Sequence, residues 1–170
     1  GGAIFTQDRK LYKKLDSLRF HGKGKSKYEH EFIGMNSRLD TIQAAILLEK
    51  LSVFPKELEK RNKNASILNN ELVNSFEVPH IPQNYKSSWA QYTLKTSNRE
   101  LLIKKLKKAD IPFAIYYPKP ISRQLGYKKI ILSKNNDKNS LLLSKKSLSI
   151  PVHSYLTESQ LNFIIEKIKN

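Results

Sequence analysis

Hydrophobic residues near the start of the chain recur at helical spacing. Leu11, Leu15 and Leu18 lie three or four positions apart, and this spacing predicts a helix over residues 8–19. Residues 2–6 have the sequence GAIFT, which is typical of the end of a strand. We therefore expect the chain to begin with a strand end that is followed by a helix.

Residues 22–34 show no hydrophobic periodicity. They contain Tyr28 and His30 among charged neighbours, and this composition predicts a polar loop. Loops of this length are longer than most connections in compact domains, and long loops often carry binding or catalytic residues. We therefore expect this loop to have a function.

The clearest helix of the sequence follows this loop. Ser37, with Asp40 three residues later, resembles a capping box that opens a helix over residues 39–54. The apolar residues of this helix occupy two faces, so we expect it to lie between two layers. Pro55 should break this helix and start a second one, because proline lacks the N–H of a helix interior and is favoured in a first turn.

Strand and helix patterns alternate in the second half of the chain. Apolar and polar residues alternate over residues 90–95, which predicts a half-buried strand. Ser97 with Glu100, and Thr157 with Gln160, resemble capping boxes that open two helices. The pattern also predicts a strand at residues 113–117, a helix near residues 140–147 and a strand around residues 148–151. The fold class is therefore mixed α/β, and this half could form a small sheet of its own.

The charge of the chain raises the question of its partners. There are 31 Lys and Arg residues against 15 Asp and Glu residues, which gives a net charge of +16. Such a bias is typical of proteins that bind nucleic acid, anionic membranes or phosphorylated ligands. The excess is mostly lysine, is spread along the chain and has no interleaved aromatic residues. We interpret it as a solvated surface and keep nucleic-acid binding as the less favoured alternative.

Several classes of chemistry find no support in the sequence. The chain has no cysteine, which excludes disulfides and thiolate sites and fits the cytoplasm. His21, His30, His80 and His153 show no metal-ligand spacing, so we predict no metal site. No Gly-x-Ser-x-Gly motif indicates a serine hydrolase, and no apolar run reaches the roughly 20 residues of a membrane helix.

Asn36, Ser37 and Arg38 stand where the predicted helix would begin. A helix N-terminus offers free N–H groups and the positive end of a dipole, so these side chains could bind an anion there. Alternatively, Asn36 and Ser37 only cap the helix, and Arg38 forms a surface ion pair. The residues alone favour this second interpretation.

Motifs along the whole chain resemble those of one family. The segments are GGAIFT at 1–6, YEHEFIGMNSRLD at 28–40, QAA at 43–45, WAQYT at 89–93, Ile111-Pro112 with Tyr117-Pro118, and SIPVH at 149–153. Together they resemble the C-terminal part of the DegT-type aminotransferases, pyridoxal 5'-phosphate (PLP) enzymes that aminate keto sugars attached to nucleotides. The segment NSRLDxxQAA is highly specific, whereas the others are individually weaker.

The resemblance implies a fold-type I aminotransferase that is a homodimer with its active sites at the interface. Residues 1–54 would be the end of the large PLP-binding domain with an interface loop and helix, residues 55–76 a linking helix, and residues 77–170 a small C-terminal α+β domain. In the family pattern, the lysine that holds PLP precedes the segment similar to Gly1 to Ala3. We therefore expect no catalytic residue within this chain, which should be inactive alone.

The resemblance also implies roles for five residues. Asn36 would reach the phosphate of PLP in the partner subunit, and Arg38 would lie beside the cofactor or the sugar nucleotide. Tyr28 and His30 would belong to a loop near the substrate, and Tyr117 to the sugar pocket.

The implied function is transfer of an amino group, with glutamate as the expected donor, to a keto nucleotide-sugar for polysaccharide or glycan biosynthesis. Two departures bear on the sugar: many relatives carry His-Tyr at Tyr116-Tyr117, and a histidine at Ser122. The segment from Trp89 to Thr93 resembles the members that make 3-amino sugars. The alternative is a truncated, inactive remnant or the product of a split gene.

Overall fold

The computed structural model describes residues 2–26, 28–127 and 137–169. Within these residues the chain forms five α-helices, two short 3₁₀ turns and a two-stranded sheet. It divides into two compact units, of which the first ends at Val53 and the second begins at Phe54. The mixed fold class that the sequence indicated is confirmed, whereas the domain assignments stay a prediction.

The first helix, α1, spans Arg9–Arg19 and confirms the helix expected from the leucine spacing. Asp8 caps it, because its Oδ1 accepts hydrogen bonds from the backbone N–H groups of Lys10 at 2.8 Å and Leu11 at 3.2 Å. The strand predicted at residues 2–6 is not found. A strand needs a neighbouring strand for its backbone groups, and no described residue pairs with this segment.

Helix α2 spans Thr41–Leu72 without interruption, so the predicted break at Pro55 is wrong. Proline at this position removes the hydrogen bond to the carbonyl of Leu51. The residues around Pro55 are exposed, so water can bond that carbonyl instead. The capping box expected at Ser37 is also wrong, because the helix begins later and its first turn starts from the Asp40 carbonyl, which accepts from Ala44 at 2.8 Å.

The first part of α2 exposes apolar side chains on both of its faces. Ile42 is 77% exposed, Leu48 67% and Leu51 64%. The prediction that this helix lies between two layers is therefore not met by the described residues, which cover neither face. The end of α2 differs, since Ala65, Leu68 and Leu72 are fully buried in the core of the second unit.

This core is organised around a short antiparallel sheet. Strand β1, Tyr92–Lys95, pairs with β2, Ser147–Ile150, and their register places Tyr92 opposite Ile150 and Leu94 opposite Leu148. These four side chains are buried and belong to one apolar cluster with the end of α2. Both strands lie where the hydrophobic pattern predicted them.

Helices α3, Arg99–Lys108, and α5, Glu158–Lys169, pack against each other in the same unit. Asn98 caps α3 through a hydrogen bond of 3.0 Å from the N–H of Leu101 to its Oδ1, so the predicted cap at Ser97 is wrong by one residue. The predicted capping box of α5 is confirmed. The N–H of Thr157 donates to Gln160 Oε1 at 2.9 Å, and the N–H of Gln160 donates to Thr157 Oγ1 at 3.2 Å.

Two further predictions concern the segment before β2. Helix α4, Lys138–Lys146, confirms the helix expected near residues 140–147 and leads directly into β2. The strand expected at residues 113–117 is reduced to one bridge between Ala114 and Ser149. Prolines at positions 112 and 118 flank this segment, and proline cannot donate to a ladder of hydrogen bonds.

Tyr92 carries a polar group into this core. Its side chain is fully buried, and its hydroxyl donates to Asn69 Oδ1 at 2.7 Å. Burial raises the pKa of Tyr92, so the phenol stays protonated and keeps this donor.

Asn69→Ala should lower the free energy of unfolding by about 1–3 kcal/mol, because it leaves the buried Tyr92 hydroxyl without its acceptor. Tyr92→Phe should cost less, since it removes the hydroxyl itself and water can reach the half-buried Asn69. Urea unfolding of both single variants and the double variant measures the coupling. If Asn69→Ala costs the same in both backgrounds, this hydrogen bond does not stabilise the core.

Candidate functional site

Residues 20–26 and 28–38 form a cross-linked segment that folds back on itself, which we call the ribbon. Phe20 bridges Asn36 and Lys23 bridges His30, both in antiparallel fashion. The N–H of His21 donates to the carbonyl of Met35 at 2.9 Å. The described residues of the polar loop expected at 22–34 are therefore cross-linked by backbone hydrogen bonds.

Two glycines allow the two backbone segments of the ribbon to approach each other. Gly22 has a φ of +71°, and a Cβ there would lie 1.8 Å from the carbonyl oxygen of Phe32. A Cβ on Gly34 would lie 2.1 Å from the backbone nitrogen of Gly22. Only glycine fits either position, because any side chain would overlap the opposite backbone.

The ribbon fixes the orientation of His30. Its Nδ1 lies 2.9 Å from the carbonyl oxygen of His21. A carbonyl oxygen only accepts hydrogen bonds, so Nδ1 is the donor in this contact and Nε2 is left for another partner. His30 is exposed and Tyr28 is 83% exposed, so both side chains can be reached from solvent.

Asn36 and Arg38 lie side by side at the end of the ribbon. Arg38 Nε donates to Asn36 Oδ1 at 3.0 Å, and the guanidinium carbon lies 4.9 Å from the centre of the Phe20 ring. This arrangement uses the carbonyl of the Asn36 amide as an acceptor, and no described residue accepts from its NH₂ group. An amide donor beside a guanidinium suits an oxyanion such as a phosphate.

These contacts change the interpretation of the segment Asn36-Ser37-Arg38. Asn36 and Arg38 belong to the ribbon and precede α2, which begins at Thr41, so they do not form its first turn. The capping alternative is wrong for Ser37, because α2 begins four residues later, at Thr41. The N–H of Ser37 donates to the carbonyl of Arg19 at 2.8 Å. Within the described part of the chain, Arg38 forms no ion pair with a carboxylate.

The second unit contains a cavity of about 360 Å³ beside the sheet. Its lining residues are Arg61, Trp89, Ala90, Gln91, Pro112, Phe113, Ala114, Tyr116, Ser149, Ile150, Pro151, Val152 and His153. Tyr117 is not among them; it is 70% exposed, and its ring lies edge-on to that of Tyr116 with 5.5 Å between the centroids. Tyr117 therefore contacts a lining residue of the cavity without lining the cavity itself.

The structure brings together some of the residues that the sequence singled out. His30, Asn36 and Arg38 share the ribbon of the first unit, whereas Tyr117 belongs to the second. Sequence reasoning missed Arg61, which lines the cavity from the middle of α2. No local motif marks this arginine, although Trp89 and His153 stood in segments that resemble the family.

The described residues form neither a metal site nor a helix that could span a membrane. No group of three or more His, Asp or Glu side chains is arranged to hold a metal ion among them. No helix in the same residues combines the length and the apolar character needed to cross a membrane.

Comparison with known proteins identifies the relatives of this chain. The sequence model of the DegT/DnrJ/EryC1/StrS aminotransferase family matches residues 1–169. A UDP-2-acetamido-2-deoxy-3-oxo-D-glucuronate aminotransferase from Pseudomonas aeruginosa is 36% identical, with 100% of this chain and 46% of the relative aligned. A dTDP-3-amino-3,6-dideoxy-alpha-D-galactopyranose transaminase from Aneurinibacillus thermoaerophilus is 30% identical over 99% of this chain and 46% of its own length.

A solved structure shows the same fold. The crystal structure of a DegT DnrJ EryC1 StrS aminotransferase from Brucella abortus is 42% identical to this chain and superposes with a TM-score of 0.92. The alignment covers 97% of this chain and 44% of that protein, and it falls in the C-terminal part of the relative. The chain thus spans just under half the length of the proteins that it matches.

Gly34→Ala should destabilise the first unit by about 1–3 kcal/mol, because its methyl group would overlap the backbone of Gly22. Amide hydrogen exchange should become faster at His21, whose N–H donates to Met35 within the ribbon, and at Met35, whose N–H donates to Leu18 of α1. Gly126→Ala is the matched control, since a Cβ there meets nothing within 4 Å. Unchanged exchange at Met35 in Gly34→Ala would show that the ribbon does not depend on this contact.

Proposed function

Because this chain belongs to the DegT/DnrJ/EryC1/StrS aminotransferase family, we propose that the whole protein transfers an amino group from an amino acid to a keto sugar linked to a nucleotide. Glutamate is the proposed donor and PLP the proposed cofactor. The observation that carries the proposal is the pairing of the Asn36 amide with the Arg38 guanidinium on the ribbon.

Carbon 3 is the proposed position of amination. The names of the relatives from Pseudomonas aeruginosa and Aneurinibacillus thermoaerophilus both refer to a 3-oxo or 3-amino sugar. Both relatives align with nearly all of this chain, including the segment from Trp89 to Thr93. A 3-keto sugar attached to a nucleoside diphosphate is therefore the proposed substrate class.

The ribbon offers a suitable place for the phosphate of PLP. The NH₂ group of Asn36 can donate to a phosphate oxygen, and Arg38 adds positive charge next to it. The hydrogen bond between the two side chains and the position of Arg38 over Phe20 limit their motion before the ligand arrives. When bound, PLP supplies the electron sink that transamination requires.

Exposed aromatic and imidazole groups are the proposed sugar ligands. His30 presents Nε2 for a sugar hydroxyl, because its Nδ1 is held by the His21 carbonyl. Tyr28 and Tyr117 expose most of their rings and can pack against a sugar. Their hydroxyls can also donate or accept hydrogen bonds.

The proposed assembly is a homodimer in the cytoplasm, in which Asn36 reaches the cofactor of the partner subunit. The exposed apolar side chains in the first part of α2 support the proposed dimer, since large apolar patches on proteins mark surfaces that bind a partner. The lack of cysteine fits a reducing compartment.

Asn36→Ala in the full-length protein should weaken PLP binding about 10- to 100-fold, because a hydrogen bond to a charged oxyanion contributes roughly 1.5–3 kcal/mol. Asn36→Asp should weaken it further by placing a carboxylate against the phosphate. Equilibrium dialysis with PLP absorbance gives the dissociation constants. Asn74→Ala, which removes an exposed asparagine outside the ribbon, is the control. Equal constants for Asn36→Ala and Asn74→Ala would contradict the assignment.

The lysine that holds PLP is proposed to lie outside these 170 residues. Lys25 of the ribbon is exposed, whereas a lysine that reacts at neutral pH needs a lowered pKa from burial or nearby charge. Borohydride reduction of the full-length protein with PLP, followed by peptide mass spectrometry, should place the label on a lysine absent from this chain. A labelled peptide from residues 1–170 would overturn this proposal.

A further inference from the structure

An arginine side chain lines the cavity of the second unit. Arg61 reaches the cavity from α2, and its Nη1 donates to the carbonyl of Trp89 at 3.5 Å. Its Nε is closed off from solvent and has no acceptor in the described part of the chain, so a ligand in the cavity cannot contact this nitrogen. The terminal nitrogens of the guanidinium are therefore the donors that Arg61 can offer to a ligand.

Backbone strain occurs at the same cavity. Trp89 has a φ of +48°, in the left-handed region that bulky residues rarely adopt. Its indole Nε1 donates to Asn62 Oδ1 at 2.9 Å, and its backbone N–H donates to Ser87 Oγ at 3.1 Å. These bonds hold Trp89 in the conformation in which its carbonyl meets Arg61. Strain that the surroundings enforce in this way is typical of ligand sites.

The size and lining of the cavity restrict the class of ligand. Its volume of 360 Å³ lies in the range of small-molecule pockets, which begins at about 300 Å³. Phe113, Tyr116 and Pro151 give apolar walls, and Gln91 and His153 add polar groups. Arg61 is the only lysine or arginine among the described lining residues, which include no carboxylate.

One guanidinium and apolar walls match one negative charge on a carbon skeleton. A carboxylate carries a single charge and fits the planar fork of an arginine. A phosphate carries more charge, and the described lining offers no second cation to balance it. We propose that this cavity is a binding site for a small organic carboxylate, with the terminal nitrogens of the Arg61 guanidinium as its donors. The inference does not depend on PLP binding or on the aminotransferase reaction.

Calorimetric titration of the full-length protein with benzoate and with benzamide tests the proposal. The two probes have the same ring, but only benzoate carries a charge. Benzoate should bind at least about tenfold more tightly, as expected for a hydrogen bond to a charged group. Inorganic phosphate should not displace it at equal concentration. Equal affinity for benzoate and benzamide, or displacement by phosphate, would overturn the proposal.

Arg61→Lys separates this cavity from any other anion site on the protein. Lysine keeps the charge but lacks the planar fork, so the affinity for benzoate should fall about tenfold. Arg123→Lys is the matched control, because Arg123 is paired with Asp137 and does not line the cavity. Unchanged benzoate affinity in Arg61→Lys would refute the role of Arg61.

A crystallographic measurement on the unmodified protein keeps the test independent of how the variant folds. Crystals soaked in 4-bromobenzoate should show an anomalous bromine peak in the cavity, with the carboxylate within hydrogen-bond distance of Arg61. Bromine peaks confined to other parts of the protein would also overturn the proposal. Neither result tests the proposed aminotransferase activity, because that activity is measured in a separate assay.

Discussion

The burial of one end of α2 is the interaction on which the second unit depends. Ala65, Leu68 and Leu72 enter the same apolar cluster as both strands and α5. Full burial of a leucine side chain contributes about 1.5–3 kcal/mol, so these contacts fix the last part of α2. The helix continues through Pro55 as one element, with the freed carbonyl of Leu51 exposed to water. The other end of α2 has no such partner among the described residues, which explains how the same helix exposes Ile42 and Leu48.

Sequence patterns predicted the elements whose stabilising contacts are local. The capping box of α5 joins residues three positions apart, and the leucines of α1 repeat within a single helix. Some local rules also failed, since neither Ser37 nor Ser97 caps a helix. The rule that proline ends a helix failed as well, because the freed carbonyl of Leu51 is exposed to water and α2 continues. The β-rich segment around Ala114 formed only one bridge, because its length as a strand depends on what lies beside it.

The two candidate sites differ in how far the sequence could reveal them. Asn36 and Arg38 are separated by one residue, so a short motif was enough to single them out, and the ribbon then supplied a hydrogen bond between them. The geometry came from elsewhere: Gly22 and Gly34 let two backbone segments meet, and no composition rule marks those glycines as partners. The sequence thus indicated which side chains to consider, and tertiary contacts determined what they can bind.

Arg61 shows the opposite case, in which the residue carries no signal and its surroundings give it a role. It lies 28 positions from Trp89, whose left-handed backbone presents a carbonyl to it. On an exposed helix face the same arginine would be solvated and would need no partner. Here the guanidinium lines a cavity with apolar walls, where its charge is less well solvated than on an open surface. The cavity is selective for this reason, because a carboxylate supplies the opposite charge and a neutral apolar molecule does not.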